Sequence, residues 1–263
     1  MASKLLASIL VTALAAPLSA TAAVKPSQAF LADYSVSFLG FTVAHTTFLS
    51  RVGADSYSID GSISSAGLAT FFSDLKARTN VSGHIAGDTF APDSYSTDYT
   101  YGKKAKRTSM TFARGKIVDV SNTPAPPPRR SDWVPVGARE LQAALDPMTA
   151  GLVRARDPRS VCNRTVKAFD GEIRADMVLS FVATSKVSIG GTETDAVTCA
   201  GKFRPVAGYH RSNKSLKYLT DKSRITVKFA QLGQTGIYAP IQASVGTRIG
   251  TVSIRARKIE LVE

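Results

Sequence analysis

The residues that could carry chemistry are few, and their spacing does not form a catalytic set. The three histidines, His45, His84 and His210, lie far apart in the sequence. The chain has no His-x-x-x-His or Cys-x-x-Cys spacing, no Gly-x-Ser-x-Gly turn and no glycine-rich phosphate loop. The sequence therefore predicts a protein that is not an enzyme, with no catalytic residue, no metal site and no cofactor.

Two pairs of carboxylates are candidates for acid–base chemistry. Asp170 is close to Glu172, and Asp132 precedes Glu140. Asp170-Gly171, however, is a dipeptide typical of hairpin turns. We therefore interpret this pair as part of a turn between two strands.

Cys162 and Cys199 are the only cysteines of the chain. Two widely spaced cysteines in an exported β protein favour a structural disulfide, which would close a loop of about 38 residues. A redox pair or a nucleophile is the alternative. Because each cysteine lies close to the end of a predicted strand, we expect the bridge to connect neighbouring strands.

The N-terminus has the pattern of a secretory signal peptide. Lys4 precedes an apolar run over residues 5–16, Pro17 ends the run, and Ala20-Thr21-Ala22 fits the cleavage rule. We predict a signal peptide over 1–22 and a flexible lead-in over 23–29; an uncleaved anchor is the alternative. No later stretch has the ~18 apolar residues of a membrane-spanning helix. We therefore expect an exported protein of a Gram-negative periplasm that is not an integral membrane protein.

The formal net charge is +13, which includes the Lys4 that the signal peptide removes. Export argues against nucleic acid as the partner of this basic chain. A lipid or lipoprotein, an anionic envelope surface or an envelope protein is the better candidate, and a merely solvated basic surface is the alternative. The candidate contacts for anionic head groups are clustered basic residues: Lys103, Lys104, Lys106, Arg107, Arg129 and Arg130.

Alternation of apolar and polar residues predicts about a dozen strands. Tyr34, Val36 and Phe38 share one face of the first strand, and similar patterns recur to the end of the chain. In the last strand the apolar parity changes after Ala256, which a bulge near Arg257 would explain. Strands this numerous must curl, close or split into two sheets.

Three segments interrupt the strand pattern. Prolines between residues 122 and 133 predict an irregular surface loop. Residues 65–74 and a region over 137–156, in which Asp146 is a candidate N-cap, predict short helices. Residues 208–221 are polar and predict a long mobile loop.

A curled sheet filled by short helices often leaves an apolar cavity, although a plainly packed core is the alternative. The candidate groove-lining residues are apolar side chains of the two predicted helical regions: Leu68, Phe71, Phe72, Leu141, Met148 and Leu152.

Several short motifs, taken in order, are similar to one known family. They are the strand at residues 34–38, Ser-Ala-Gly-Leu-Ala-Thr-Phe-Phe at 65–72, Leu-Asp-Pro-Met-Thr-Ala at 145–150, Ala-Phe-Asp-Gly at 168–171, and Cys199 followed by Pro-Val-Ala-Gly-Tyr at 205–209. With them the chain resembles the bacterial periplasmic proteins of domain of unknown function family 3108.

The resemblance implies an open β-barrel or β-spiral related to lipoprotein-carrier domains, in which a curved antiparallel sheet surrounds helices and an apolar groove. It implies binding of a lipid or lipoprotein, or a role in envelope integrity. It provides no catalytic residues.

Taken together, the sequence predicts one mainly β domain over 30–263, built as a single large curved antiparallel sheet or open barrel with two to three short helices as its plug. The predicted function is non-enzymatic periplasmic binding of a lipid, an acyl chain or a lipoprotein-like envelope component. A structural or protein-interaction module without a small-molecule ligand is the alternative, and a hydrolase is the third class.

Overall fold

A computed structural model describes residues 27–67, 70 and 74–262, and it confirms a mainly β fold. Fourteen strands of the described chain belong to one sheet, and two more form a small separate pair. The strands are β1 Gln28–Phe38, β2 Phe41–Val52, β3 Ser56–Ser65, β4 Leu75–Ala86, β5 Thr89–Tyr101, β6 Lys104–Ala113, β7 Lys116–Thr123, β8 Trp133–Val134, β9 Val153–Arg154, β10 Arg164–Phe169, β11 Arg174–Ile189, β12 Thr192–Ala207, β13 Tyr209–His210, β14 Ile225–Gln231, β15 Ile237–Thr247 and β16 Gly250–Val262.

The sheet consists of two antiparallel halves that meet at the two ends of the chain. The first half is the meander β1 to β7, and the second runs in the order β10, β11, β12, β14, β15, β16. β1 pairs with both β2 and β16, so the N-terminal and C-terminal strands form the seam between the halves. The short strand β9 pairs with β15. Each half therefore contributes one side of the curved sheet, whose concave surface we call the inner face.

The turns define two ends of the sheet. Residues 39–40, 102–103 and 248–249 connect strands at the end that we call the upper end. Residues 53–55, 87–88 and 232–236 connect strands at the opposite, lower end.

The predicted bulge in the last strand is confirmed. Asp33 pairs with Lys258, whereas the next residue, Tyr34, pairs with Ala256, so Arg257 is the extra residue. An extra residue restores the parity of the strand. Ala256 is therefore buried beside Tyr34, and Ile259 still packs against the core.

The outer strands of the sheet, β7 and β10, do not pair with each other in the described chain. Residues 141–145 lie between them instead. Ala143 N–H donates to Gly115 O at 2.9 Å next to β7, and Leu145 N–H donates to Lys167 O at 2.8 Å in β10. The sheet thus stays open, but a single segment of irregular chain spans its gap.

The helix predicted within residues 137–156 is wrong for most of that region. Ala143 has a φ of 55°, a left-handed conformation that an α-helix does not accommodate. The backbone groups on either side of it pair with the edges of the sheet, and this pairing outweighs the helix propensity of the sequence. The region contains one short 3₁₀-helix, Thr149–Gly151, and a second one, Pro158–Val161, follows it.

An α-helix occurs instead where a mobile loop was predicted. Helix α1 spans Lys214–Asp221, and the Asn213 side chain accepts hydrogen bonds from Ser215 N and Leu216 N at its start. Leu216 is buried where α1 packs against β12 and β15. Among the described residues α1 is the only α-helix with assigned bounds, so the prediction of two to three helices as a plug is wrong for this part of the chain.

The predicted proline-rich loop has no strand or helix between Thr123 and Trp133, where β8 begins and pairs with β13. The predicted signal peptide over 1–22 lies outside the described residues.

Cys162 and Cys199 form a disulfide, with their Cα atoms 5.7 Å apart. Cys162 precedes edge strand β10, whereas Cys199 lies within β12, and β11 separates these two strands. The expected link between neighbouring strands is therefore a link across one strand. Both side chains are buried in an apolar cluster with Val161 and Val197, so the bridge fastens the edge of the sheet to its interior.

Replacing both cysteines, by Cys162→Ala with Cys199→Ala, should lower the free energy of unfolding by about 2–4 kcal/mol. The reason is that the bridge closes a long loop in the unfolded chain. Guanidinium unfolding followed by circular dichroism measures the change, and a reductant should destabilise the wild type but not the double variant. Equal unfolding midpoints for the wild type and the double variant would show that the bridge contributes nothing.

A candidate apolar binding groove

Residues 144–152 lie inside the curved sheet, and Asp146 determines their path. Asp146 Oδ1 accepts hydrogen bonds from Met148 N and Thr149 N, each at 2.9 Å, and Asp146 O accepts one from Ala150 N. These contacts bend the chain into the turn that ends at Gly151. Asp146 was predicted as a helix N-cap, but the N-cap of the 3₁₀ turn Thr149–Gly151 is Met148, and Asp146 instead binds the backbone just before and at the start of that turn.

Asp146 is an ionisable group inside an apolar core. Its side chain has 0 % exposure, and Oδ2 is buried without a hydrogen-bond partner in the described chain. Burial raises the pKa of Asp146, and the hydrogen bonds from Thr149 and Met148 oppose this shift. The Tyr57 hydroxyl lies 2.8 Å from Thr149 Oγ1 and extends the polar cluster. Burial also raises the pKa of Tyr95 to about 12, with the Asp146 carboxylate adding to the shift.

An apolar groove lies on the other side of this turn. Its volume is about 400 Å³, within the range of small-molecule sites. Pro147, Met148 and Leu152 form one wall, and the inner faces of both halves of the sheet form the other. The lining includes no charged side chain, and the hydroxyl of Tyr34 is already bonded to Pro240 O at 2.9 Å.

The groove borders all three apolar clusters of the core. Buried residues form three separate apolar clusters. Phe30 belongs to the first, Leu179 to the second and Tyr34 to the third, and all three line the groove. Several apolar side chains on the inner face therefore stay only half-buried, among them Phe48, Met148, Met177, Val227 and Ile254.

A smaller cavity of about 220 Å³ continues towards the upper end. It shares Phe48, Met148 and Ile254 with the groove. The Phe48 ring lies over Gly61, where an added Cβ would come within 2.6 Å of the ring. A glycine at this position thus lets the aromatic ring form the wall between the two cavities.

Three of the six predicted lining residues are among the described residues, and two of these three line the groove. Met148 and Leu152 line the groove. Leu141 packs against the first cluster instead, because its backbone pairs with Ile117 at the edge of the sheet. Leu68, Phe71 and Phe72 lie outside the described residues.

The predicted basic contacts lie at or near the upper end, and most of them are engaged within the protein. Lys106 forms an ion pair with Glu172, and Arg107 Nε lies 2.8 Å from Asp98 Oδ1. Lys103 and Lys104 are exposed at the hairpin between β5 and β6.

Arg129 and Arg130 belong to a cluster of interacting side chains at the C-terminal end of the proline-rich loop. The Arg129 guanidinium lies 3.9 Å from the centre of the Trp133 ring, and Arg130 Nε lies 3.8 Å from Asp132 Oδ1. Asp132 also contacts His210 Nδ1 at 2.7 Å and accepts hydrogen bonds from Ser212. Ser212 hydrogen-bonds to the carboxylate and not to the imidazole, unlike a nucleophile activated by a base.

The other candidate residues for chemistry have structural partners. Asp170 Oδ1 accepts hydrogen bonds from Glu172 N and Ile173 N, which confirms the hairpin turn. His84 Nδ1 lies 2.8 Å from Asp93 Oδ2, and both side chains are exposed. Within the described chain no group of three or more histidine, cysteine, aspartate or glutamate side chains could hold a metal ion.

Sequence reasoning missed the part of the groove that the second half of the sheet provides. Met177, Val227, Phe229 and Ile254 all line it. The alternation within each strand could have identified their common face, but the pairing of β1 with β16 was needed to bring that face opposite residues 147–152.

The fold and the groove define an open, barrel-like β protein with an apolar interior site. The chain belongs to the family described as "Protein of unknown function (DUF3108)", whose pattern matches residues 33–257. The resemblance noted in the sequence is thereby confirmed.

No curated protein shows significant similarity to the chain. In the described residues, no helix is long and apolar enough to cross a membrane.

Two solved structures match the chain over most of its length. One is a β-barrel-like protein of the domain of unknown function DUF1849 from Brucella abortus, with 9% identity and a TM-score of 0.49 over 90% of this chain and 98% of that one. The other is described as a "putative lipoprotein" from Parabacteroides distasonis, with 8% identity and a TM-score of 0.29 over 89% of this chain and 95% of that one.

The raised pKa of Asp146 makes stability depend on pH. Between the ordinary aspartate pKa near 4 and the higher folded pKa, the folded state binds more protons than the unfolded state, so stability falls as pH rises. Asp146→Asn retains an oxygen for Met148 N and Thr149 N but does not ionise. We expect the free energy of unfolding of the wild type to fall relative to this variant from pH 4 towards neutrality. Urea unfolding across that range measures the difference, and parallel curves would contradict the burial argument.

Proposed function

We propose that the protein is a non-enzymatic binding protein and that its groove holds a hydrocarbon chain, as in a fatty acid or the acyl chain of a lipid or lipoprotein. The observation that carries this proposal is the groove itself, a space of about 400 Å³ with half-buried apolar side chains along it. An apolar ligand gains about 0.8 kcal/mol for each CH₂ group removed from water. A polar ligand would find few partners in the lining.

The shape of the site supports a chain rather than a compact ring system. The groove and the smaller cavity are adjacent, and together they extend along the inner face of both halves of the sheet. Met148, which lies between them, has an unbranched side chain that adapts easily to a flexible ligand.

The cellular setting is part of the proposal. The predicted signal peptide and the disulfide support export to an oxidising compartment, which for this family we infer to be the periplasm. In that setting, lipids and lipid-modified proteins of the envelope are the ligands that carry hydrocarbon chains.

Filling the groove should remove binding. Ile254 lines both cavities, so Ile254→Trp should weaken the binding of an uncharged hydrophobic dye, N-phenyl-1-naphthylamine, about tenfold or more. The fluorescence increase of the dye measures its affinity. Val118→Trp, at an exposed position of β7, is the control and should bind like the wild type.

Thermal unfolding of both variants shows whether they fold, and Ile254→Phe replaces the tryptophan variant if that variant does not. Unchanged dye binding in a folded Ile254 variant would rule out the groove as the site. Crosslinking in cells that captures a protein partner, together with purified protein that carries no lipid in native mass spectrometry, would instead favour the interaction module.

A further inference from the structure

A second cleft lies at the lower end of the sheet, and we call it the mouth cleft. Its volume is about 790 Å³. Turns at residues 53–54, 87–88 and 234–236 surround it, together with residues 154–156 and Gln28. It therefore lies among the loops at the lower end, whereas the groove lies deeper between the strands.

The mouth cleft continues the groove along the same segments of chain. Phe30, Ser50 and Leu152 line the groove, and the residues two positions further out, Gln28, Val52 and Arg154, line the cleft. Side chains two positions apart in an extended chain point to the same side. Phe30 and Leu152, which are both buried, thus line the end of the groove that is next to the mouth cleft.

The polar atoms of the cleft have unused hydrogen-bonding capacity. Arg154 Nη1 donates to Gly87 O at 3.1 Å, but its Nε is buried without a partner in the described chain. Gln28 Oε1, an acceptor, is also buried without one. Buried polar atoms without partners are costly. A ligand group that accepts hydrogen bonds from the Arg154 guanidinium reduces this cost, whereas Gln28 Oε1 does not bond to a carboxylate.

The charge of the cleft favours an anion. Arg154 and Arg156 oppose a single carboxylate in its lining, Asp88, and neither arginine forms an ion pair within the described chain. A guanidinium presents several N–H groups in a plane, which suits a carboxylate or a phosphate.

A third guanidinium, that of Arg164, contacts the backbone just before β9. Arg164 Nη2 donates to Ala150 O at 3.3 Å and to Leu152 O at 3.5 Å, while its Nε is buried without a partner. Burial lowers the pKa of Arg164 to about 10, and no carboxylate contributes to the shift. The positive charges beside residues 152–156 therefore add to one another, which attracts an anionic group to this end of the groove.

We propose that the natural ligand is an anionic amphiphile that enters from the lower end, with its carboxylate or phosphate at Arg154 in the mouth cleft and its hydrocarbon chain beyond Phe30 and Leu152 in the groove. This inference rests on the proposed function and specifies the ligand class. It places the head group at the end opposite to Lys103 and Lys104.

The test compares ligands that share one hydrocarbon chain and differ in the head group: hexadecanoate, hexadecyl phosphate and hexadecanol. Displacement of N-phenyl-1-naphthylamine measures each affinity at low salt. For the wild type, at least one anion should bind about tenfold or more tightly than the alcohol. The preference between the two anions distinguishes a fatty acid from a phosphate-bearing lipid as the source of the head group.

Arg154→Gln should remove this preference and leave the affinity for hexadecanol unchanged. Arg255→Gln, at an exposed position of β16, is the matched control and should keep the preference. If Arg154→Gln fails to fold, Arg156→Gln at the exposed side of the cleft should reduce the preference, and higher salt should do the same in the wild type.

The outcomes separate the two proposals. Equal affinities of the wild type for the alcohol and both anions, or an unchanged preference in folded Arg154→Gln, would overturn the inference while leaving the apolar groove as a site. Failure of all three ligands to displace the dye would overturn both proposals.

Discussion

The hydrogen bonds that Asp146 Oδ1 accepts from Met148 N and Thr149 N hold residues 144–152 in place inside the sheet. A sheet of this width has to curl, and its inner face needs apolar cover. Residues 144–152 supply that cover on one side only, next to Tyr57 and the first cluster. On the other side of the segment the inner face is not covered, and this uncovered space is the groove. Burying a carboxylate is costly, so its place in the core argues that the path of this segment matters to the protein.

The groove also depends on the pairing of the two ends of the chain. β1 and β16 join the halves of the sheet, and the groove lies where the inner faces of both halves meet residues 147–152. The disulfide fastens the edge next to β10 to β12, while residues 141–145 span the gap to β7. No single half of the chain contains the site.

Much of the fold could be predicted from local pattern, because a half-buried strand shows its alternation directly. The parity change after Ala256 even identified the bulged residue, Arg257. The helix prediction within residues 137–156 was wrong where residues 141–145 serve as backbone hydrogen-bond partners for two edges of the sheet. The helix at Lys214–Asp221 was missed because its sequence is mostly polar and only Leu216 is buried.

The candidate site was predictable in kind but not in detail. An apolar cavity follows from a large curled sheet, and Met148 and Leu152 were identified because their segment interrupts the strand pattern. Ile254 and Arg154 were missed as site residues because their roles depend on which strands meet across the interior, and one sequence does not reveal such long-range pairing. The clustered lysines at residues 103–106 were conspicuous in the sequence, whereas the arginines near the groove are spread over residues 154–164.

Nuclear Overhauser effects between a bound hydrocarbon chain and the protein's methyl groups test the central claim most directly. With hexadecanoate bound to methyl-labelled protein, we predict contacts from the chain to the methyl groups of Met148 and Ile254, and none to Met110, which is buried in the core away from the groove lining. Contacts confined to exposed Leu39 and Ile249 at the upper end, with none to Met148 or Ile254, would contradict the account.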